Sequence, residues 1–520
     1  MADEEHESDA GGVPEDLETA QELIQELKEQ LAARDREVAA LRHRIEQLTR
    51  RLFGRQAEKL DFDARQLLLH SLFSTEAGRE AVAALVADED DGAAKRASSG
   101  PRRRGRQALP AELPRRRIEI KPTPEELVCG KCEVDKRQIG EDVTEELEYV
   151  PASLVVNQYV RPKLACPICE SGVVEAELPA RPIDKGIPGP GLLAQVVTSK
   201  YADHLPLYRQ ETIFTRSGIH IARQTQCEWV GAVAGLMEPI VGEMRREVLG
   251  SRVIHCDDTS VTVQDRDHPG GSRNGYVWVY VGEQGDLVFD YTDSRSRDGP
   301  LAFLEGYRGY LQADAYAGYD EVFRRGDVTE VGCWAHARRR VYEAVKTALE
   351  PATLLLALIR RLYRVEREAR EAKMDAAERL VLRQEKSRPI LGLIEEQLES
   401  LSPRCLPKSP LGEAIGYAQR QWQALMRYTE DGILAIDNNV AENGLRQVVL
   451  GRKNYLFFGS DAGGRRAAIL YSLVGTCKKI GLDPFAYLRD VIARVSTHPA
   501  RRITELTPRG WKAQLLSSGA

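Results

Sequence analysis

The feature that most limits what this chain can fold into is a succession of apolar segments between residues 252 and 335. RVIHCDDTSVTVQ (252–264), GYVWVYVG (275–282) and LVFDYTDS (287–294) are each rich in β-branched or aromatic residues, and Gly, Asn or Asp turns separate them. That pattern predicts three strands. PLAFLEGY (300–307) then reads as a helical segment, GYLQAD (309–314) as a fourth strand, and VTEVGCWA (328–335) as the start of further α/β elements.

Three strands, a helix, a strand and further α/β elements is the order of a ribonuclease H-like core, in which the first and fourth strands are neighbours. Asp257 on the first strand and Asp314 at the end of the fourth would then converge on one edge of the sheet. Two such hard oxygen ligands, sharing a pair of Mg²⁺ ions, suit phosphoryl transfer: one ion activates the attacking hydroxyl and the other stabilises the leaving oxygen. A third carboxylate should arrive from a helix. NNVAENGLRQVV supplies one, with Asp437 as its expected N-cap, Val440, Ala441, Leu445, Val448 and Val449 on the sheet side, and Glu442 and Arg446 on another face. Any one of these acids alone is an ordinary turn former, cap or solvated residue; the ordered combination carries the reading. About 100 largely helical, charged residues separate Cys333 from this helix. They read as an insertion at about 341–430.

A chain of 520 residues exceeds one ordinary core, so several domains are expected. No apolar run approaches the roughly 18–20 residues needed to cross a bilayer. The N-terminus MADEEHESDA is acidic, unlike a signal or transit peptide, so a cytoplasmic protein without a membrane partner is expected. The net charge of −6 hides segregation: DEDD at 88–91 precedes nine Lys/Arg between Lys95 and Arg117. This stretch reads as a solvated linker, and equally as a basic arm able to hold DNA.

Apolar residues from Leu17 to Leu52 fall on a heptad. Leu17, Ile24, Leu31, Val38, Ile45 and Leu52 occupy one core position, and Ala20, Leu27, Leu41 and Leu48 the other. β-Branched residues at three of the first positions, with Leu mostly at the second, favour a parallel two-stranded coil, weakened locally by Arg34. Formed between chains, the coil makes a homo-oligomer; the alternative is a long helix packed on its own chain. Of nine cysteines, four are paired by spacing: Cys129-x-x-Cys132 and Cys166-x-x-Cys169, with β-rich sequence between. Two such knuckles suit a structural, four-thiolate Zn²⁺ ribbon, whose full coordination leaves no catalytic position. The scattered Cys227, Cys256, Cys333, Cys405 and Cys477 read as small buried apolar residues. Between about 190 and 240, a helix opened near Pro206, a break at Ser217-Gly218 and a second helix outline a helix-turn-helix-like segment. It would offer Arg209, Arg216, Arg223 and Gln224 to DNA.

In this setting the chain resembles the insertion sequence 66 family of bacterial transposases. LFGRQAEKL (52–60), the CxxC ribbon, KYADHLPLYRQE (200–211), HCDDTS (255–260), YVWVY (276–280), LQADAYAGYD (311–320), GCWAHARRR (332–340), DNNVAENGLR (437–446), GRKNYLFFGS (451–460) and GLDPFAYL (481–488) look like that family's blocks in the same order. The resemblance implies a DDE transposase with a zinc ribbon, an N-terminal helical oligomerisation region and the acidic triad Asp257, Asp314 and Glu442. It departs from the family after the first Asp, where Asp258-Thr259 stands in place of the usual Glu-Thr. His336 and Arg338 look functional by the same resemblance.

The expected protein is therefore a multidomain α+β chain: coiled coil at 15–60, helical segment and charged linker at 61–117, zinc ribbon at 118–185, helical DNA-binding segment at 186–248, catalytic core with its helical insertion at 249–460, and a C-terminal helical region at 461–520. Its expected chemistry is cleavage at an element end to free a 3′-hydroxyl, then attack of that hydroxyl on target DNA, with two Mg²⁺ ions, or Mn²⁺ in their place. Arg446, Arg452 and Lys453, with Arg465 and Arg466, would hold phosphates. DNA is the partner, at element ends and target, with accessory proteins of the same element as further candidates and the nucleoid as the place of action. A catalytically silent zinc-ribbon DNA binder and a ribonuclease H-like nuclease or resolvase are the alternatives.

Overall fold

The computed structural model describes residues 154–159, 163–164, 174–175, 180–183 and 186–518. The expected coil, the linker and the knuckle cysteines Cys129, Cys132, Cys166 and Cys169 lie outside the described residues. The chain divides into two units, one of them residues 87–178. In that unit β1 (Lys163–Leu164) pairs antiparallel with β2 (Val174–Glu175). In sequence, the second CxxC pair falls between these two strands.

In the described part of the larger unit, α1 (Pro190–Tyr201), α2 (Leu207–Arg216) and α3 (Arg223–Leu249) come first. Pro206 precedes α2 as its N-cap, and Gly218, at φ +88°, makes the turn that follows it. Then come β3 (Val253–Gln264), β4 (Ser272–Gly282), β5 (Leu287–Thr292), α4 (Asp298–Phe303), β6 (Gly309–Gln312), α5 (Asp320–Arg324) and β7 (Val328–Val331). The sheet order is β5-β4-β3-β6-β7. β3, β4 and β5 run antiparallel in turn, while β6 pairs parallel with both β3 and β7. The first and fourth of the predicted strands are thus neighbours. Val277 through Val281 on β4 are fully buried, as a strand covered on both faces must be.

The segment after β7 is helical throughout most of its length: α6 (Trp334–Glu343), α7 (Leu349–Glu371), α8 (Ala376–Leu382), a π turn over Arg383–Ser387, α9 (Arg388–Leu401), α10 (Pro410–Arg420) and α11 (Trp422–Met426). These helices do not hang off the sheet. They build a second apolar core that takes in Val253 of β3 and Val331 of β7. One buried cation closes it: Arg383, 1% exposed, bonds both oxygens of Glu366 at 2.7 Å and the carbonyls of Tyr428, Asp431 and Leu434 at 2.7, 3.1 and 2.9 Å.

The chain then returns to the sheet with α12 (Asn439–Tyr455), followed by α13 (Asp461–Lys479), α14 (Pro484–Arg494) and α15 (Pro508–Ser518). α12 packs on β3 and β4, and α13 on β5 and α3. Gly444 lets α12 approach closely, since a Cβ there would stand 2.8 Å from Leu287 Cδ2. The helices at 186–248 and those after 461 share one hydrophobic core with the sheet, so neither stretch has a core of its own. Among the scattered cysteines Cys256, Cys333 and Cys477 are buried as expected; Cys405 is only partly so and Cys227 is exposed. Among the described residues no helix is long and apolar enough to cross a membrane.

Candidate active site

Asp257 lies in the middle of β3, opposite Val279 of β4. Its Oδ1 accepts the backbone N–H of Asp258 at 2.8 Å. Burial pushes the Asp257 carboxyl up to about 7, against the help of that hydrogen bond, and the charges of Asp314, Asp258 and Glu442 push it the same way. Asp258, one residue on, points differently and is held by Arg295, with Nε and Nη2 at 3.0 and 2.8 Å from its two oxygens. The same Nη2 stands 3.8 Å from Asp314. Arg295 therefore lies between two acids, and its guanidinium stacks on the Tyr316 ring, 4.2 Å from the centroid.

Asp314 sits two residues beyond β6. There the chain turns sharply: Ala315 takes φ +63°, and the Tyr316 N–H donates to Asp314 Oδ1 at 3.2 Å. A left-handed alanine costs about 1 kcal/mol, and beyond this turn the Asp314 carboxylate lies near enough to β3 for its charge to raise Asp257.

Glu442 is in the first turn of α12. The helix starts one residue later than expected: its N-cap is Asn438, not Asp437, whose carboxylate instead accepts from Asn439. The reason is that Asn438 is taken up by the sheet. Fully buried, it donates from Nδ2 to the Cys256 carbonyl at 2.8 Å, pairs through Oδ1 with His255 Nδ1 at 3.1 Å, and donates its backbone N–H to Cys333 Sγ at 3.2 Å. Burial holds the His255 imidazole down at about 4, so it is neutral and serves Asn438 as a donor. Asn438 ties the Glu442 helix to the strand one residue from Asp257. Asn438→Ala leaves the Cys256 carbonyl and His255 unpaired, and a loss of about 2–3 kcal/mol in denaturant unfolding is expected; an unchanged midpoint would remove this clip from the account.

Around Glu442, His336 Nε2 and Arg339 Nη2 each stand 3.8 Å from the carboxylate. Arg339, rather than Arg338, faces the acid. Glu442 Oε1 and His336 Nδ1 are buried without a hydrogen-bond partner. Cys333 Sγ, a His336 ring nitrogen and a Glu442 oxygen lie within 4.8 Å of one another. Among the described residues Asp257, Asp314 and Glu442 do not close to that spacing; they come from separate elements, and the charges of the other two help raise Asp257. Asp257, Asp314 and Glu442 offer hard carboxylate oxygens, with Glu442 Oε1 buried and unpartnered, and donors of that kind fit a divalent ion.

The expected phosphate-binding residues divide. Arg446 and Lys453 are exposed on α12, and Arg209 and Arg223 on α2 and α3. Arg452 is partly spent, since Nη1 donates to Thr259 Oγ1 at 3.0 Å and to the Ser260 carbonyl. The Arg466 guanidinium lies against Gly231 of α3. Sequence reasoning missed Arg295 and Asn438. Arg295 lies in an unremarkable turn, while Asn438 stands beside Asp437 and could have been weighed as the cap.

Residues 185–466 match the Transposase IS66 family, 126–170 the zinc-finger binding domain of transposase IS66, 40–118 the Transposase C of IS166 homeodomain, and 472–509 the IS66 C-terminal element. The uncharacterized protein y4hP of Sinorhizobium fredii is 32% identical over 502 residues, 91% of this chain and 89% of that protein. The uncharacterized protein y4jD of the same organism is 31% identical over 511 residues, covering 92% of this chain and 98% of its relative. With more than half of its length in the first of those matches, and its flanking segments in the others, the chain belongs to the IS66 family of transposases.

Proposed function

We propose that the chain cleaves DNA at the ends of its own element and joins the freed 3′-hydroxyl to target DNA, using Asp257, Asp314 and Glu442 as the acidic set of a ribonuclease H-like core. The observation that carries this reading is the desolvated convergence of like charges: Asp257 is raised toward neutrality by burial and by both other acids, an arrangement that is costly without a cation. Two Mg²⁺ ions, or Mn²⁺, would be held by these carboxylates and would supply Lewis-acid activation of the attacking and leaving oxygens. The chain's own residues do the rest. Asn438 fixes the Glu442 helix against β3, Arg295 holds Asp258 out of the ligand set, and Arg446, Arg452 and Lys453 line α12 for DNA phosphates. Arg209 and Arg223 would add contacts from the helical segment. Cys129, Cys132, Cys166 and Cys169 would hold a structural Zn²⁺, and the heptad at 15–60 would join two chains.

The test is Glu442→Gln. Loss of end cleavage and strand transfer is expected, with end binding and folding retained. Cleavage that survived in the variant would remove Glu442 from the site.

A further inference from the structure

α12 does more than deliver Glu442. Its exposed residues after that acid are Asn443, Arg446, Leu450, Lys453 and Asn454. The spacing of three, four, three and one puts them on one stripe along the helix, and the stripe carries amides and cations with no acid. At its far end the chain makes a hook. Leu456, a γ-branched residue with no reason to favour the left-handed region, takes φ +64° and is 66% exposed; Phe457 beside it is 44% exposed. Both flanks of the hook are fixed. The Tyr455 ring carries Lys200 Nζ at 4.1 Å and its hydroxyl meets that of Tyr471. Phe458 is buried and paired with β3, donating its N–H to the Thr262 carbonyl and accepting from Gln264 N–H, each at 2.8 Å. Two large apolar side chains are thus held out in water by a strained and firmly anchored turn.

We infer that this hook is a wedge for DNA: Leu456 and Phe457 enter the base stack of a duplex whose phosphates lie along the α12 stripe. The inference rests on the proposed function and deepens it. Charge complementarity selects the occupant, because the exposed stripe of α12 that leads to the tip carries Arg446 and Lys453 and no acid. Apolar wedges between base steps kink a duplex and widen its contact with the protein. The position follows from the fold. Tyr455 is thirteen residues beyond Glu442 on the helix, about 20 Å at 1.5 Å per residue. A duplex following the helix places the tip about six base pairs from the scissile phosphate.

The experiment uses the full chain and a duplex carrying the terminal repeat that flanks its coding sequence. 2-Aminopurine is placed in turn at each pair within one helical turn of the cleavage point. A fluorescence rise is expected about six pairs away and not elsewhere. In the Leu456→Gly, Phe457→Ala double variant the rise disappears and cleavage slows by about tenfold or more, the size of one lost base–aromatic stack. Its melting temperature does not fall through the backbone, since glycine accepts the positive φ. Lys453→Ala weakens binding to every duplex alike and keeps the rise. The wedge is overturned if the parent chain cleaves with no rise at any position, or if the double variant cleaves like the parent. It is equally overturned if the double variant keeps the rise but loses self-association, which would give the tip to a second copy. A chain that opened the stack and cleaved nothing would sink the proposed catalysis and leave the wedge standing.

Discussion

Asp257→Asn is expected to reduce end cleavage by at least about a thousandfold, the several kcal/mol that a metal-bound site supplies, and at the same time to make the metal-free chain harder to melt. The second effect separates this acid from a merely structural one. In the folded chain its carboxyl keeps a proton up to about 7, whereas in the unfolded chain it lets go near 3.8. Stability from that proton is full below the unfolded value and is lost as pH rises through the folded one. Asparagine is neutral throughout. The variant and its parent should therefore match near pH 4 and diverge as pH climbs to about 7, by up to about 4 kcal/mol for a shift of this size. Taking the difference between the two proteins cancels His255, which titrates in the same range with the opposite sign: it is held at about 4 against an ordinary 6.5 and costs stability as pH falls. Thermal melts of both proteins across that range, in chelator, decide the matter. A difference that did not grow with pH would mean Asp257 is ionised without cost and the site is not a repulsive cluster.

Arg383→Ala is expected to cost about 3–5 kcal/mol, the range for removing one partner of a buried ion pair. The variant strands the Glu366 carboxylate, 10% exposed, and releases the carbonyls of Tyr428, Asp431 and Leu434 together. Those carbonyls belong to the stretch that feeds into Asn438 and α12, so cleavage should fall with stability. Lys386→Ala is the comparison: its bond to Glu368 joins two half-exposed side chains, and a change within about 0.5 kcal/mol is expected. Urea unfolding of the two variants gives both numbers. If Arg383→Ala proved as mild as Lys386→Ala, the insertion would not be holding the Glu442 segment.

The sheet was legible in the sequence because β3, β4 and β5 are long, β-branched and bounded by turns, and because a single crossover through α4 leaves β6 one place beside β3. The placement of Asp257 on a strand and of Glu442 in the first turn of a helix is legible for the same reason: each is a fixed point of a regular element. What stayed hidden depends on partners far along the chain. Asn438 looks like any polar residue before a helix until Cys256 and His255, more than 180 positions away, are seen to claim its side chain. Arg383 sits in a charged run that reads as solvated surface, and only folding turns it inward. The helices at 341–430 read as an insertion, but nothing in their period says that they share a core with Val253 and Val331 of the sheet. Arg452 reads as a phosphate-holding residue, and only the packing of α12 beside β3 brings it to Thr259 and Ser260.

α12 is fastened to β3 at its start through Asn438, along its length through Arg452 and just past its end through Phe458. Strand and helix cannot slide against each other, so the gap between Asp257 and Glu442 is set once, at folding. Asp314 is held differently, on a tight corner with Ala315, by the Tyr316 N–H and beside Arg295 rather than by α12. In the proposed reaction, a change in the width of the site falls to that corner, so the three acids act as a vice with one jaw set by α12 and β3 and the other on a turn.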